Sequence, residues 1–129
     1  MIFDDIEINP NSLSPLTLAF IGDAVYSIII REELVIEANR PVNSLHRESI
    51  KKVSAVSQSE AIKKIMSELT EEELRIFKRG RNAKTSHTPK NAGNDDYHYA
   101  TGLEALFGYL YLARRYDRIK ELYNKINEQ

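Results

Sequence analysis

The 129-residue sequence contains no cysteine. That excludes disulfides and thiolate metal sites and fits a reducing compartment. Tryptophan is also absent, and no loop is rich in aromatics, so nothing points to a sugar-binding platform. Charge of one sign is not in excess: 18 Lys and Arg stand against 19 Asp and Glu, for a net charge of −1. Any nucleic-acid surface must then be a local patch rather than a property of the whole chain. The opening MIFDDIEINP lacks the basic and apolar regions of a secretory leader. The apolar run from 16 to 30 is too short for a typical membrane span and carries an acid at its middle. A cytoplasmic protein is expected. With 42% hydrophobic and 29% charged residues, the balance is that of an ordinary globular chain, read as one domain spanning 1–129.

Strand-like alternation, internal repeats and low-complexity tracts are missing too, and what remains is helical periodicity. Ser14-Pro15 predicts an N-cap followed by Pro at the first helical position, opening a helix to about Ala38. Val42 to Val53 predicts a second helix, with Val42, Leu45, Ser49, Ile50 and Val53 on one face. Ser54 to Leu69 predicts a third, with Val56, Ala61, Ile62, Ile65 and Leu69 as apolar positions. Thr70-Glu71-Glu72-Glu73 is a capping box for a fourth that fades near Arg81. Asn82 to Asn94 is irregular, and a fifth helix follows to about Arg115. A last amphipathic helix carries Ile119, Leu122, Tyr123 and Ile126. The expected fold is all-α, of about six helices, with the first and fifth at its centre because they are the most apolar.

Those two central helices each hold one lone acid. Leu16 to Ile30 (LTLAFIGDAVYSIII) has Asp23 as its only charge, and Ala100 to Leu112 (ATGLEALFGYLYL) has only Glu104. An unpaired buried carboxylate is costly, so it neutralises itself or finds a partner. Hydroxyls such as Ser27 or Thr101, or a subunit seam, are the bland partners. The chemical alternative is that the two acids meet around a hard cation such as Mg²⁺, which takes oxygen ligands and keeps several waters. Gly22 either lets helices pack closely or clears space for a ligand beside Asp23.

Positive charge is concentrated in one place. Arg75, Lys78, Arg79, Arg81, Lys84 and Lys90 fall within 16 positions, and Leu74 to Asn94 holds no Asp or Glu. The segment is either a solvated helix end or a phosphate-binding surface, with Asn82, Ser86, Thr88 and Asn91 as added donors. Its loop has no aromatic residue, which favours a duplex backbone over stacked single strands. His46, His87 and His98 have no metal-type spacing, and no Walker or Rossmann loop is present.

Phe20-Ile21-Gly22-Asp23-Ala24-Val25 and Glu104-Ala105-Leu106-Phe107-Gly108 resemble the two acidic motifs of the ribonuclease III catalytic domain. The compact Mini-ribonuclease III branch is more similar still, through Leu18 to Tyr26, Leu45-His46-Arg47, Val53-Ser54-Ala55, Arg79 to Ala83, Pro89-Lys90-Asn91 and Ala100-Thr101. The resemblance implies an all-α homodimeric endoribonuclease that cuts double-stranded RNA with Mg²⁺ and leaves 5′-phosphate ends. Its implied substrate is the precursor of large-subunit (23S) ribosomal RNA. It also implies that Asp23 and Glu104 are catalytic and hold the metal. Arg79, Arg81, Asn82, Lys84, Lys90 and Asn91 are implied to grip RNA. The larger relatives carry further acids where Leu16, Ala19 and Thr101 stand here, and Ser27 replaces a Glu common in the Mini branch. A non-catalytic RNA-binding or ribosome-assembly module on the same fold is the alternative.

Overall fold

The computed structural model describes residues 2–84 and 94–128. Six α-helices and two short 3-10 turns account for the regular structure of these residues, and none of them forms a strand. The first turn is Pro10–Ser12; α1 is Pro15–Glu37, α2 is Val42–Val53 and α3 is Ala55–Ile65. A second 3-10 turn, Met66–Glu68, leads to α4 (Glu71–Arg81), and α5 (Asn94–Leu112) and α6 (Tyr116–Ile126) complete the order.

The local signals act as the chemistry of helix ends requires. Ser14 Oγ accepts from the Thr17 N–H at 3.2 Å, satisfying one of the orphan donors of α1. At α4 both halves of the capping box form: Thr70 Oγ1 accepts from Glu73 N at 3.1 Å, and Glu73 Oε1 accepts from Thr70 N at 2.9 Å. Glu73 is also clasped by Arg118 of α6, with two guanidinium bonds of 2.8 Å. One buried acid thereby ties the start of α4 to the last helix.

α1 and α5 pack against each other along the centre, and α3 and α4 flank α5. Leu18, Ile30, Leu103, Leu106, Phe107 and Leu110 are fully buried between them, joined by Ile62, Ile65, Ile76, Phe77 and Leu122 from the surrounding helices. Tyr26 meets Phe107 edge-on at 5.4 Å and Tyr123 at 6.1 Å.

Four details differ from the sequence expectation. Val56 is exposed because the core side of α3 is the opposite one, where Gln58, Ala61, Ile62 and Ile65 lie. On α2, Leu45, Ser49 and Val53 face inward. Ile50 stands on the outer flank, and Val42, in the first turn, borders a cavity of about 230 Å³. The third helix does not continue to Leu69: it tightens after Ile65 into the 3-10 turn. α5 stops at Leu112, short of Arg115, because Arg114 adopts the left-handed conformation (φ 61°). Its guanidinium holds that turn by donating to the carbonyls of Asp4 (2.7 Å) and Ile6 (3.1 Å).

Candidate active site

The site begins with two glycines. A Cβ placed on Gly22 would lie 1.6 Å from the carbonyl oxygen of Glu104, and one on Gly108 would lie 2.0 Å from that of Leu18. Backbone of α5 therefore occupies the space a side chain would need on α1, and the reverse holds four residues later. A mid-helix glycine costs about 1 kcal/mol against alanine, and here that cost allows the closest approach of the two central helices. Of the two readings of Gly22, the packing one is correct: its missing side chain makes room for α5, not for a ligand.

The contact also sets the chemistry. Asp23 follows Gly22 directly, and Glu104 supplies the carbonyl that Gly22 touches, so the two carboxyls come within hydrogen-bonding reach. The sequence suggests two acids sunk in apolar helices, but the structure separates them. Asp23 is exposed, whereas Glu104 is mostly covered. Burial pushes the Glu104 carboxyl up to about 8; the neighbouring Asp23 adds to this by charge and hydrogen bonding, and the Gln58 amide opposes it. Among the described residues neither acid is paired with a Lys or Arg; the ion pairs lie elsewhere. Two carboxyls this close cannot both ionise cheaply until positive charge arrives between them.

Thr101, Ala19 and Leu16 add no acid to the pair. Thr101 is buried, and its hydroxyl donates to the Tyr97 carbonyl of its own helix at 3.0 Å. Ala19 is buried, and Leu16 is partly exposed. Among the described residues no group of three or more His, Cys, Asp or Glu converges. Gln58 is a neighbour of the pair that sequence reasoning missed. It sits on the core side of α3 at 3% exposure, and its amide reaches Glu104. Its one signal in the sequence is a long polar side chain in phase with Ala61, Ile62 and Ile65.

The cationic segment starts beside this pair. A Cβ on Gly80 would meet the Ala105 Cβ at 2.7 Å and the Gly102 Cα at 3.0 Å. The basic end of α4 thus crosses α5 over the very turn that carries Glu104. Arg79 and Asn82 share a groove of about 540 Å³ with Arg75 and Lys78. Arg81 is placed differently. Its guanidinium lies over the rings of Phe77 (5.6 Å) and Tyr99 (5.9 Å), and its Nε donates to Asn82 Oδ1 at 3.1 Å. Lys84 is exposed at the end of the segment. Lys90 and Asn91, with Ser86, His87 and Thr88, lie outside the described residues.

The ribonuclease III domain family matches residues 16–115. The Mini-ribonuclease 3 of Thermoanaerobacter sp. (strain X514) is 55% identical over 111 residues, 86% of this chain and 78% of the relative. That of Brevibacillus brevis is 44% identical over 119 residues, 92% of this chain and 89% of the relative. A crystal structure of a protein from Fusobacterium nucleatum superposes with a TM-score of 0.78 at 36% identity, covering 88% of this chain and 90% of that one. The chain belongs to the ribonuclease III family, in its Mini-ribonuclease III branch, and is an endoribonuclease.

Proposed function

We propose that the whole chain is one catalytic unit that cleaves double-stranded RNA with Mg²⁺, as a homodimer in the cytoplasm. Its substrate in the cell is the precursor of large-subunit ribosomal RNA, a reading taken from likeness to the Mini-ribonuclease III branch. The observation that carries the catalytic part is the Asp23–Glu104 pair, held together by backbone contact at Gly22. Its donors fit a hard divalent cation: carboxylate oxygens, no counter-charge, and a covered acid that stays protonated until positive charge reaches it. When bound, such a cation supplies an activated water and neutralises charge on the departing oxygen of a phosphodiester.

The protein's own groups do the rest. Asp23 faces solvent, where a phosphate can approach, while the more covered Glu104 would hold the cation once its carboxyl is ionised. Arg79, Asn82 and Lys84, with Lys90 and Asn91, grip the RNA backbone. Arg81 supports that surface by packing on Phe77 and Tyr99. These rings serve the guanidinium rather than unpaired bases, which favours sequence-tolerant contact with a duplex. Support for the dimer comes from Phe20, 82% exposed about one turn before Asp23, and from Leu16 on the same side of α1. Large apolar side chains exposed together mark a surface that another protein covers.

A labelled RNA duplex and its isolated strand, incubated with Mg²⁺ or with EDTA, test the reading. The duplex is expected to be cut only with Mg²⁺, leaving 5′-phosphate ends, with the single strand untouched. A duplex left intact in Mg²⁺ overturns it. Lys84→Ala is expected to weaken binding to unrelated duplexes equally and to lower the salt slope by about one phosphate contact. Binding measured across a salt series checks this; an effect on one sequence alone would mean that the segment reads bases.

A further inference from the structure

Gln58 carries one polar atom that the fold leaves unused. The residue is 3% exposed and lies on α3, packed against α5. One of its amide hydrogens is committed, since Nε2 donates to the carbonyl of Val53, the last residue of α2, at 2.9 Å. The amide also faces the Glu104 carboxyl. Its Oε1, shielded from bulk water, meets no donor among the described residues. An unsatisfied buried acceptor is costly, and capping the Val53 carbonyl needs only the amide's donor end. Such an atom calls for a bound water or ion.

The metal site needs what Gln58 has to offer. Among the described residues only two carboxylates converge there, and Thr101, one turn before Glu104, spends its hydroxyl on Tyr97. A hard cation takes six or more oxygens, so most of its shell here must be water and phosphate. Waters in such a shell are oriented by neutral acceptors around them, and the acids by neutral donors.

We propose that Gln58 is a positioning residue of the cation site. Its second amide hydrogen holds the Glu104 carboxylate toward Asp23, and its open Oε1 accepts an O–H from a water carried by the cation. The Val53 carbonyl fixes which end of the amide does which. This inference rests on the reading of Asp23 and Glu104 as the metal-holding pair.

Mn²⁺ serves as the probe, with its binding to the RNA-free protein followed by the paramagnetic resonance of the free ion. The parent is compared with Gln58→Met, Gln58→Glu and Asp23→Asn, and each protein is also melted in EDTA and in Mn²⁺. Gln58→Met is expected to bind Mn²⁺ about tenfold more weakly and, having lost its bond to the Val53 carbonyl, to melt somewhat lower in EDTA. Gln58→Glu, with a third crowded carboxyl, is expected to melt lower in EDTA and to gain more from Mn²⁺ than the parent gains. A residue that only packs would give no cation-dependent gain. If Gln58→Met fails to fold, the melting of Gln58→Glu decides. Undiminished Mn²⁺ affinity in Gln58→Met, or no extra Mn²⁺ gain in Gln58→Glu, overturns the role of Gln58. Asp23→Asn separates this from the underlying reading: it is expected to lose Mn²⁺, and its retention of Mn²⁺ would overturn the metal-holding pair itself.

Discussion

Glu104→Gln is expected to abolish RNA cleavage while stabilising the metal-free protein at alkaline pH. The first effect follows from the donor set. The amide keeps the shape of Glu104 but loses its anionic oxygen, so the site can no longer hold a hard cation between two carboxylates. A loss of roughly 10³-fold or more in rate, about 4 kcal/mol of barrier, is expected, with duplex binding in Ca²⁺ retained because the cationic segment is untouched. Asp23→Asn should lose cleavage similarly. The second effect follows from linkage. Glu104 titrates at about 8 in the folded chain, against an ordinary value of 4.5. Between those limits the folded state holds a proton that the unfolded state has released. The group's contribution to stability is therefore present below about pH 4.5 and is lost as pH rises through about 8. The slope approaches 1.4 kcal/mol per pH unit at most. Glutamine cannot ionise, so the variant escapes this decline. Urea unfolding in EDTA at acidic and alkaline pH measures it: the variant should pull ahead of the parent as pH rises. Full turnover of the variant in Mg²⁺ would sink the catalytic assignment, and parallel pH curves would sink the electrostatic one.

The two acids were legible in the sequence. Lone charges in apolar helices are visible without a structure because they violate the local pattern. Caps were equally legible, since Ser14 and Thr70 act on backbone groups only a few residues away. What escaped was set by distant neighbours. Nothing local tells Val56 that the core lies on the other side of α3, or Ile50 that no helix covers its flank. The end of α5 turns on Arg114, a non-glycine residue in a left-handed conformation held by carbonyls more than a hundred positions earlier. Gln58 looks like any polar helical residue until α3 is laid against Glu104. That the Arg81 guanidinium lies over Phe77 and Tyr99 is equally invisible in the sequence. Gly22 was ambiguous for the same reason, because only the carbonyl of Glu104 shows what its missing side chain is for.

Gly22→Ala is accordingly expected to be among the most damaging single substitutions in the chain. By helix propensity alone it should stabilise α1 by about 1 kcal/mol. Packing decides otherwise. The new Cβ would stand 1.6 Å from the Glu104 carbonyl oxygen, 2.5 Å from its carbon and 2.8 Å from the Gly108 nitrogen. All three are backbone atoms of α5, so no side-chain rotation can relieve the clash, and the helices must separate by more than an ångström in a core packed at crystal-like density. A net loss of about 4 kcal/mol or more is expected, within the range reserved for a few named mechanisms such as core overpacking. For a chain of this size it corresponds to a fall in melting temperature of roughly 15 °C. Ala24→Gly, two positions on and exposed, is the control: it runs the same exchange backwards where no helix approaches, and should cost only about 1 kcal/mol. Any Gly22→Ala protein that still folds should cut RNA poorly at temperatures well below its transition, because separating α1 from α5 also separates Asp23 from Glu104. A variant that melts within a few degrees of the parent would mean that the helices do not meet at Gly22. The link between the helix contact and the acid pair would then fail with it.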